Sequence, residues 1–205
     1  MSEFWNKRYA QEEYIYGKEP NNFFKRTIDR LNLKGKILFP GEGEGRNAVY
    51  AAKKGLEVVA YDISSEGKKK ALQLAKSENV EIDYKVGSIE QLDFEENSFD
   101  AIVLIYAHFP PEKENDIHKN LTKLLKRNGY VILEGFSLDH IKNQEKNPKA
   151  GGPSNPNMLF SIEKIDDFFH NFEKIQLHET EIVLEEGDHH KGKANVIQFI
   201  GKKLM

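Results

Sequence analysis

The chain is 205 residues long and carries 30 Lys and Arg against 33 Asp and Glu, a net charge of −3. That length suits a single elaborated domain over 1–205, at roughly 150 residues per domain. Zero cysteines exclude disulfides, thiolate metal sites and thiol nucleophiles, and the near-neutral balance argues against a general nucleic-acid binder.

Residues 1–35 are dense in aromatics: Phe4, Trp5, Tyr9, Tyr14, Tyr16, Phe23 and Phe24. Phe23 and Phe24 read as the core of a packing helix. Trp5, Tyr9 and Tyr16 read as an aromatic cap at a site edge, where each ring offers a cationic ligand ~0.5–2 kcal/mol. Met1–Arg8 has no apolar stretch of the secretory type. Lys36–Phe39, Glu57–Tyr61, Ala101–Ile105 and Tyr130–Leu133 are short apolar runs rich in β-branched residues, as in strands covered on both faces. Ile82–Val86 is also strand-like.

Between these runs lie three helical stripes. Ala48, Val49, Ala51 and Ala52 form the first, and Ala71, Leu72, Leu74 and Ala75 the second. Ile117, Leu121, Leu124 and Leu125 form the third, with Asn128-Gly129 as its C-cap. Lys68-Lys69-Lys70 reads as a solvated face. The alternation predicts a parallel α/β sheet with right-handed crossovers. The longest apolar run, Ala101–Ala107, is far short of the ~20 residues that cross a membrane. Residues 142–157, polar and broken by Gly151-Gly152-Pro153 and Pro156, are either disordered or a lid-like loop. Glu173–Leu184 and Ala194–Lys202 flank a turn-rich stretch and predict an antiparallel hairpin.

Gly41-Glu-Gly-Glu-Gly-Arg-Asn47 follows the first strand and opens the first sheet helix, the place where open α/β sheets bind ligands. A dinucleotide fingerprint would put its third glycine where Arg46 stands. Glu42 and Glu44 also bring carboxylates to where a diphosphate would rest, a repulsion of about 1–4 kcal/mol. A cationic ligand, such as one with a sulfonium and an ammonium, has no such penalty. The alternative is that both glutamates serve the helix N-terminus. Asp62, 21 residues after Gly41, either accepts the ribose hydroxyls of an adenosine-type ligand or begins the turn into the helix after Ser64. Ser88 and Ile89 are placed to flank an adenine, unless Ile89 is core. Tyr106 and His108 follow the fourth strand at the ligand edge. There His108 either orients or deprotonates an acceptor, or bonds the loop before Pro110-Pro111. His189 and His190 are acceptor-site or turn residues. No third ligand is spaced near them, so no metal is expected.

Trp5-Asn-Lys-Arg-Tyr9, Tyr16-Gly-Lys-Glu-Pro-Asn21, Gly41–Ala48, Asp62-Ile63-Ser64, His108-Phe-Pro-Pro111, Gly151-Gly-Pro153 and Glu186–Gly192, in this order, resemble a class I S-adenosylmethionine-dependent methyltransferase. The likeness spans nearly the whole chain and is greatest to the small-molecule branch with the tellurite-resistance and thiopurine methyltransferases. It implies a Rossmann-like, doubly wound sheet of seven strands in the order 3-2-1-4-5-7-6, closed by the hairpin. The implied cofactor is S-adenosyl-L-methionine. Its contacts would come from Trp5, Tyr9, Tyr16, Gly41, Gly43, Glu44, Gly45, Arg46, Asn47, Asp62, Ile63, Ser64, Ser88, Ile89 and Tyr106. Tyr106, His108 and His190 would do the chemistry. Lys191 stands where the tellurite enzymes have an arginine beside the substrate, and Lys cannot hold an oxyanion bidentately. Phe39 and Ser88 stand where many members have acids.

The expectation is a cytoplasmic methyltransferase, monomeric or homodimeric, acting on a small acceptor, with soft sulfur, selenium or tellurium nucleophiles among the candidates. Nucleic acid and membrane partners are not expected. A nicotinamide reductase lacks its glycine and its phosphate-friendly loop; a non-catalytic cofactor sensor or scaffold is the other reading.

Overall fold

The computed structural model describes residues 2–204. Helices α1 (Ser2–Tyr9) and α2 (Asn22–Leu31) precede the sheet. Strands β1 (Lys36–Pro40), β2 (Glu57–Asp62), β3 (Asp83–Val86) and β4 (Phe99–Ile105) alternate with α3 (Arg46–Lys53), α4 (Ser65–Ser77) and then α5 (Pro111–Leu124). Strand β5 (Leu125–Phe136), helices α6 (Ile141–Lys146) and α7 (Ile162–Phe168), and the pair β6 (Phe172–Glu186) and β7 (His190–Lys203) complete the chain. The sheet order is β3-β2-β1-β4-β5-β7-β6, as the resemblance implied. β1 to β5 pair in parallel, whereas β7 runs antiparallel to both β5 and β6.

Period-2 alternation sends neighbouring side chains to opposite faces. Ile37 and Phe39 pack with Phe23, Phe24 and Ile28 of α2, while Leu38 joins Ile117 and Leu121 of α5 on the other face. Asn21 caps α2 by accepting from the Phe24 N–H at 2.9 Å, which places both phenylalanines in the core as expected. Phe39 is fully buried, edge to face with Phe24. The position that the resemblance marks as acidic is therefore core in this chain.

Three readings of the sequence change. The third stripe ends at Leu124, because Leu125 turns extended (φ −79°, ψ 131°) and pairs with Phe99, so Asn128-Gly129 lies inside β5 and caps nothing. Lys70 is buried: its ammonium meets Glu44 at 2.7 Å and donates to the Gln11 carbonyl at 2.9 Å, so only its neighbours stay on the solvated face. The hairpin turn is shorter than the turn-rich stretch, with Glu186 and His190 still paired across it.

Segment 142–157 contains most of α6, the short 3₁₀ turn Pro148–Ala150 and the start of a second, Pro156–Met158. Asn147 donates to the Lys191 carbonyl at 2.8 Å, tying the segment to the hairpin.

Candidate active site

At the carboxyl end of β1 the chain must reverse into α3, and Gly41, Gly43 and Gly45 do so with φ of 63°, 61° and 88°. A side chain at Gly45 would also strike the backbone of Ala71 in α4, so this glycine serves helix packing. Gly43 lies against the Tyr9 hydroxyl of α1. Glu42 accepts from the N–H groups of Asn47 and Ala48 at 2.8 and 2.7 Å, which makes it the α3 N-terminal acceptor. Burial pushes its carboxyl up to about 7. Glu44 instead binds Lys70 and accepts from the Ile15 N–H at 2.8 Å, fastening the N-terminal segment to α4. The strongly negative loop expected from the sequence is thus spent on the fold: one carboxylate is neutralised by a buried lysine and the other caps a helix.

Asp62, ending β2, is different. Its two oxygens accept from the Gly43 and Ser64 N–H groups at 3.1 and 2.8 Å. It is buried and forms no salt bridge among the described residues. Burial raises its carboxyl to about 6. Each oxygen retains a lone pair, so a ligand with paired hydroxyl donors would complete this site. The turn reading holds as well, since Ser64 caps α4 by accepting from Gly67.

A second constellation lies at the carboxyl ends of β4 and β5. Tyr106, held at φ 54°, donates to Glu134 at 2.8 Å, and Glu134 also accepts from Asn21 and Gln198, both at 2.6 Å. Burial raises the Glu134 carboxyl. Glu186 accepts from Arg46 at 2.8 Å and bonds His190 Nδ1 at 3.1 Å. Burial works to raise the Glu186 carboxyl, but the His190 bond and the Arg46 guanidinium outweigh it and hold it at about 2. The His190 ring packs on Tyr16, Tyr106 and Phe136, with centroids 4.4, 4.8 and 5.3 Å away.

This geometry can be set beside known proteins. Residues 37–129 match the family described as "Methyltransferase domain". Over those residues, a little under half of its length, the chain is similar to methyltransferases. A tRNA (uracil(54)-C(5))-methyltransferase of Pyrococcus furiosus is 28% identical over 142 residues, covering 63% of this chain and 33% of the relative, so the chain spans about a third of the curated protein it matches. A solved structure from work on the conversion of a disulfide bond into a thioacetal group during echinomycin biosynthesis aligns with a TM-score of 0.78 at 16% identity, covering 100% of this chain and 92% of that one. TehB from Haemophilus influenzae aligns at 0.71 and 18% identity over 98% of this chain and 66% of its own. Magnesium protoporphyrin IX methyltransferase of Synechocystis PCC 6803, with bound SAH, aligns at 0.71 and 17% identity, covering 98% and 97%.

The predicted residues fall into groups. Gly41, Gly43 and Asp62 meet at the β1–β2 edge, with Ile63 and Ser64 following. Trp5 stacks on Tyr9 at 5.4 Å in α1, and Asn6 accepts from the Ser64 hydroxyl at 2.7 Å, so the helix sits over this edge. Asn47 accepts from the Asn21 N–H at 2.9 Å, which spends its side chain inside the fold. Ile89 is core, packed with Tyr61, and Ser88 donates its N–H to Gln91 at 3.0 Å.

His108 is a correction. Its Nδ1–H donates to the Met158 carbonyl at 2.8 Å and its Nε2 accepts from the Phe136 N–H at 3.1 Å. Both nitrogens are occupied by backbone groups of Met158 and Phe136, not of the loop before Pro110-Pro111, and desolvation lowers its pKa to about 4, so neither nitrogen is free to take a proton. Lys191 is exposed and pairs with Asp188 at 2.5 Å, in the hairpin turn. The sequence reading missed Glu134 and Gln198. The usable signal was an acid and an amide inside the apolar runs of β5 and β7, where burial demands partners. Among the described residues no helix is long and apolar enough to cross a membrane, and no cluster could hold a metal.

Proposed function

We propose that this chain transfers the methyl group of S-adenosylmethionine to a small acceptor in the cytoplasm, with soft sulfur, selenium or tellurium nucleophiles favoured. The observation that carries the reading is Asp62, a buried carboxylate without a cation beside a glycine turn, which suits the two hydroxyls of an adenosine ribose. The residues present fit the cofactor: Gly41 allows close backbone approach, and Ile63, Ser64 and Ser88 border the adenine end. Trp5, Tyr9 and Tyr16 would cover it.

Bound there, the cofactor supplies a methyl group on a sulfonium leaving group. The protein's part is to align the acceptor and exclude water, effects that contribute ~7–11 kcal/mol when geometry is held. Residues 1–35 and 142–157 act as the covers. A soft, uncharged acceptor is supported by the second constellation, where aromatic rings line His190 and both nearby cations are already paired, Arg46 with Glu186 and Lys191 with Asp188. An oxyanion would find no free cation among them.

Thermal shift with S-adenosylmethionine, S-adenosylhomocysteine and NAD tests the reading; a ligand at 100 times its Kd stabilises by about 2.7 kcal/mol. The first two should raise the Tm, and a response to NAD alone would overturn it. Radiolabelled transfer over thiols, amines, oxyanions and halides then identifies the acceptor. Binding without transfer to any of them would favour the sensor.

A further inference from the structure

Four histidines sit inside the fold, and only one is placed to move a proton. His108 has both nitrogens on backbone groups. His140 is spent in the same way, its Nε2 on the Gly151 carbonyl at 3.2 Å and its Nδ1 accepting from the Asn195 N–H at 3.3 Å. His118 bonds the Glu114 carbonyl through Nδ1 and stacks on Phe168, with Nε2 sealed among aromatics. His190 alone of the four bonds a carboxylate, Glu186, and its Nε2 has no hydrogen-bond partner among the described residues.

We propose that Glu186 is a positioning residue that fixes His190 as the Nδ1–H tautomer, leaving Nε2 as the base that takes a proton from the methyl acceptor. Register makes the pair: Glu186 and His190 are the last residues bonded across the β6–β7 turn. Arg46, reaching from the glycine-loop helix, keeps the Glu186 carboxylate ionised and stationary, and Asn21 adds a bond at 3.2 Å. A carboxylate on Nδ1 selects the tautomer and stabilises the imidazolium that forms on proton uptake. The Nε2 side of the ring is bounded by Gly151, where a Cβ would lie 3.0 Å from Nε2 and 2.4 Å from Cδ2, so only glycine leaves room beside that nitrogen.

The inference rests on the methyl-transfer reading and narrows it to acceptors that carry a proton, such as a thiol. The X–H bond breaks and its proton passes to Nε2. The electron pair on X forms the bond to the methyl carbon while the carbon–sulfonium bond breaks, its electrons staying on sulfur. His190 then returns the proton to solvent, so one proton is released per transfer. The charged and titratable groups around His190 are Tyr16, Arg46, Tyr106, His108, His140, Glu186 and His189.

The test uses the full chain labelled with ¹⁵N, with histidine tautomers and titrations read by NMR in the parent and in Glu186→Gln. The parent should show His190 protonated on Nδ1. The glutamine variant, which can still bond both Arg46 and the ring, should lower the His190 pKa by about one unit or more and mix the tautomers. An Nε2–H tautomer in the parent, or an unshifted pKa in the variant, overturns the proposal whatever the activity. With 2-mercaptoethanol and iodide as probes, Glu186→Gln and His190→Asn should lose at least ~10²-fold in thiol methylation. That loss should exceed the loss with protonless iodide at least tenfold; equal losses would count against a base. If neither probe is methylated, the NMR pair still decides. Failure of S-adenosylmethionine to raise the Tm would instead sink the methyl-transfer reading and leave the NMR result standing.

Discussion

Asp62 and Glu186 are both carboxylates inside the same sheet edge, yet their environments push them in opposite directions. Asp62 has two backbone N–H donors and no cation, and burial lifts it to about 6. Glu186 has Arg46 and His190, and they pull it down to about 2 against the same burial. One centre is completed by the protein itself. The other is left short of donors, which is the condition of a group meant for a ligand. Hydrogen-bond accounting thus separates a carboxylate matched by cations from one that has none, where burial does not.

Removing Arg46 should break the contrast most severely. Arg46→Met strands Glu186 without its cation at the cost of about 3–5 kcal/mol of stability, read from urea unfolding. Asp62→Ala should act on the ligand as well as the fold: it leaves the Gly43 and Ser64 N–H groups without their acceptor, and two charge-assisted bonds to the ligand amount to roughly 3 kcal/mol, or about 10²-fold in cofactor affinity by calorimetry. Unchanged affinity would remove the main support for the ribose assignment.

The two carboxylates also have opposite pH signatures. Stability from Asp62 is full below its unfolded pKa of 3.8 and is lost as pH rises through about 6. Stability from Glu186 is present above 4.5 and is lost as pH falls through about 2. Asp62→Asn should therefore gain on the parent by about 2–3 kcal/mol between pH 4 and 7. A flat difference curve would show that Asp62 finds a donor in solution. His108→Phe should leave two backbone groups unpaired and cost about 1–3 kcal/mol of stability. A shift in the pH profile of catalysis instead would restore it as a base. Lys191→Ala should be the mildest, with Tm within about 2 °C of the parent.

Much of this molecule was legible from local pattern. The runs at β1, β2 and β4, the glycine turn and the long hairpin carry their own periodicity, and Phe23 and Phe24 are explained by the helix they start. The failures share one cause. Lys70, His108 and Glu44 are ordinary surface or site residues by sequence, and each is claimed by a partner far along the chain: Lys70 by Glu44 and the Gln11 carbonyl, His108 by Met158 and Phe136. Helix α5 ended early because Leu125 was recruited into the ladder with Phe99. No window of sequence contains those partners.

By itself, then, the sequence determined the alternating α/β order, the turn that only glycines can make and the residue types at the ligand edge, because backbone sterics and side-chain periodicity are local. Which carboxylate is matched by a cation, and which histidine keeps a free nitrogen, was decided only by tertiary structure. Those outcomes depend on hydrogen-bond partners that meet when Asn21, Arg46, Glu134 and Glu186 are folded to within bonding distance of one another's groups.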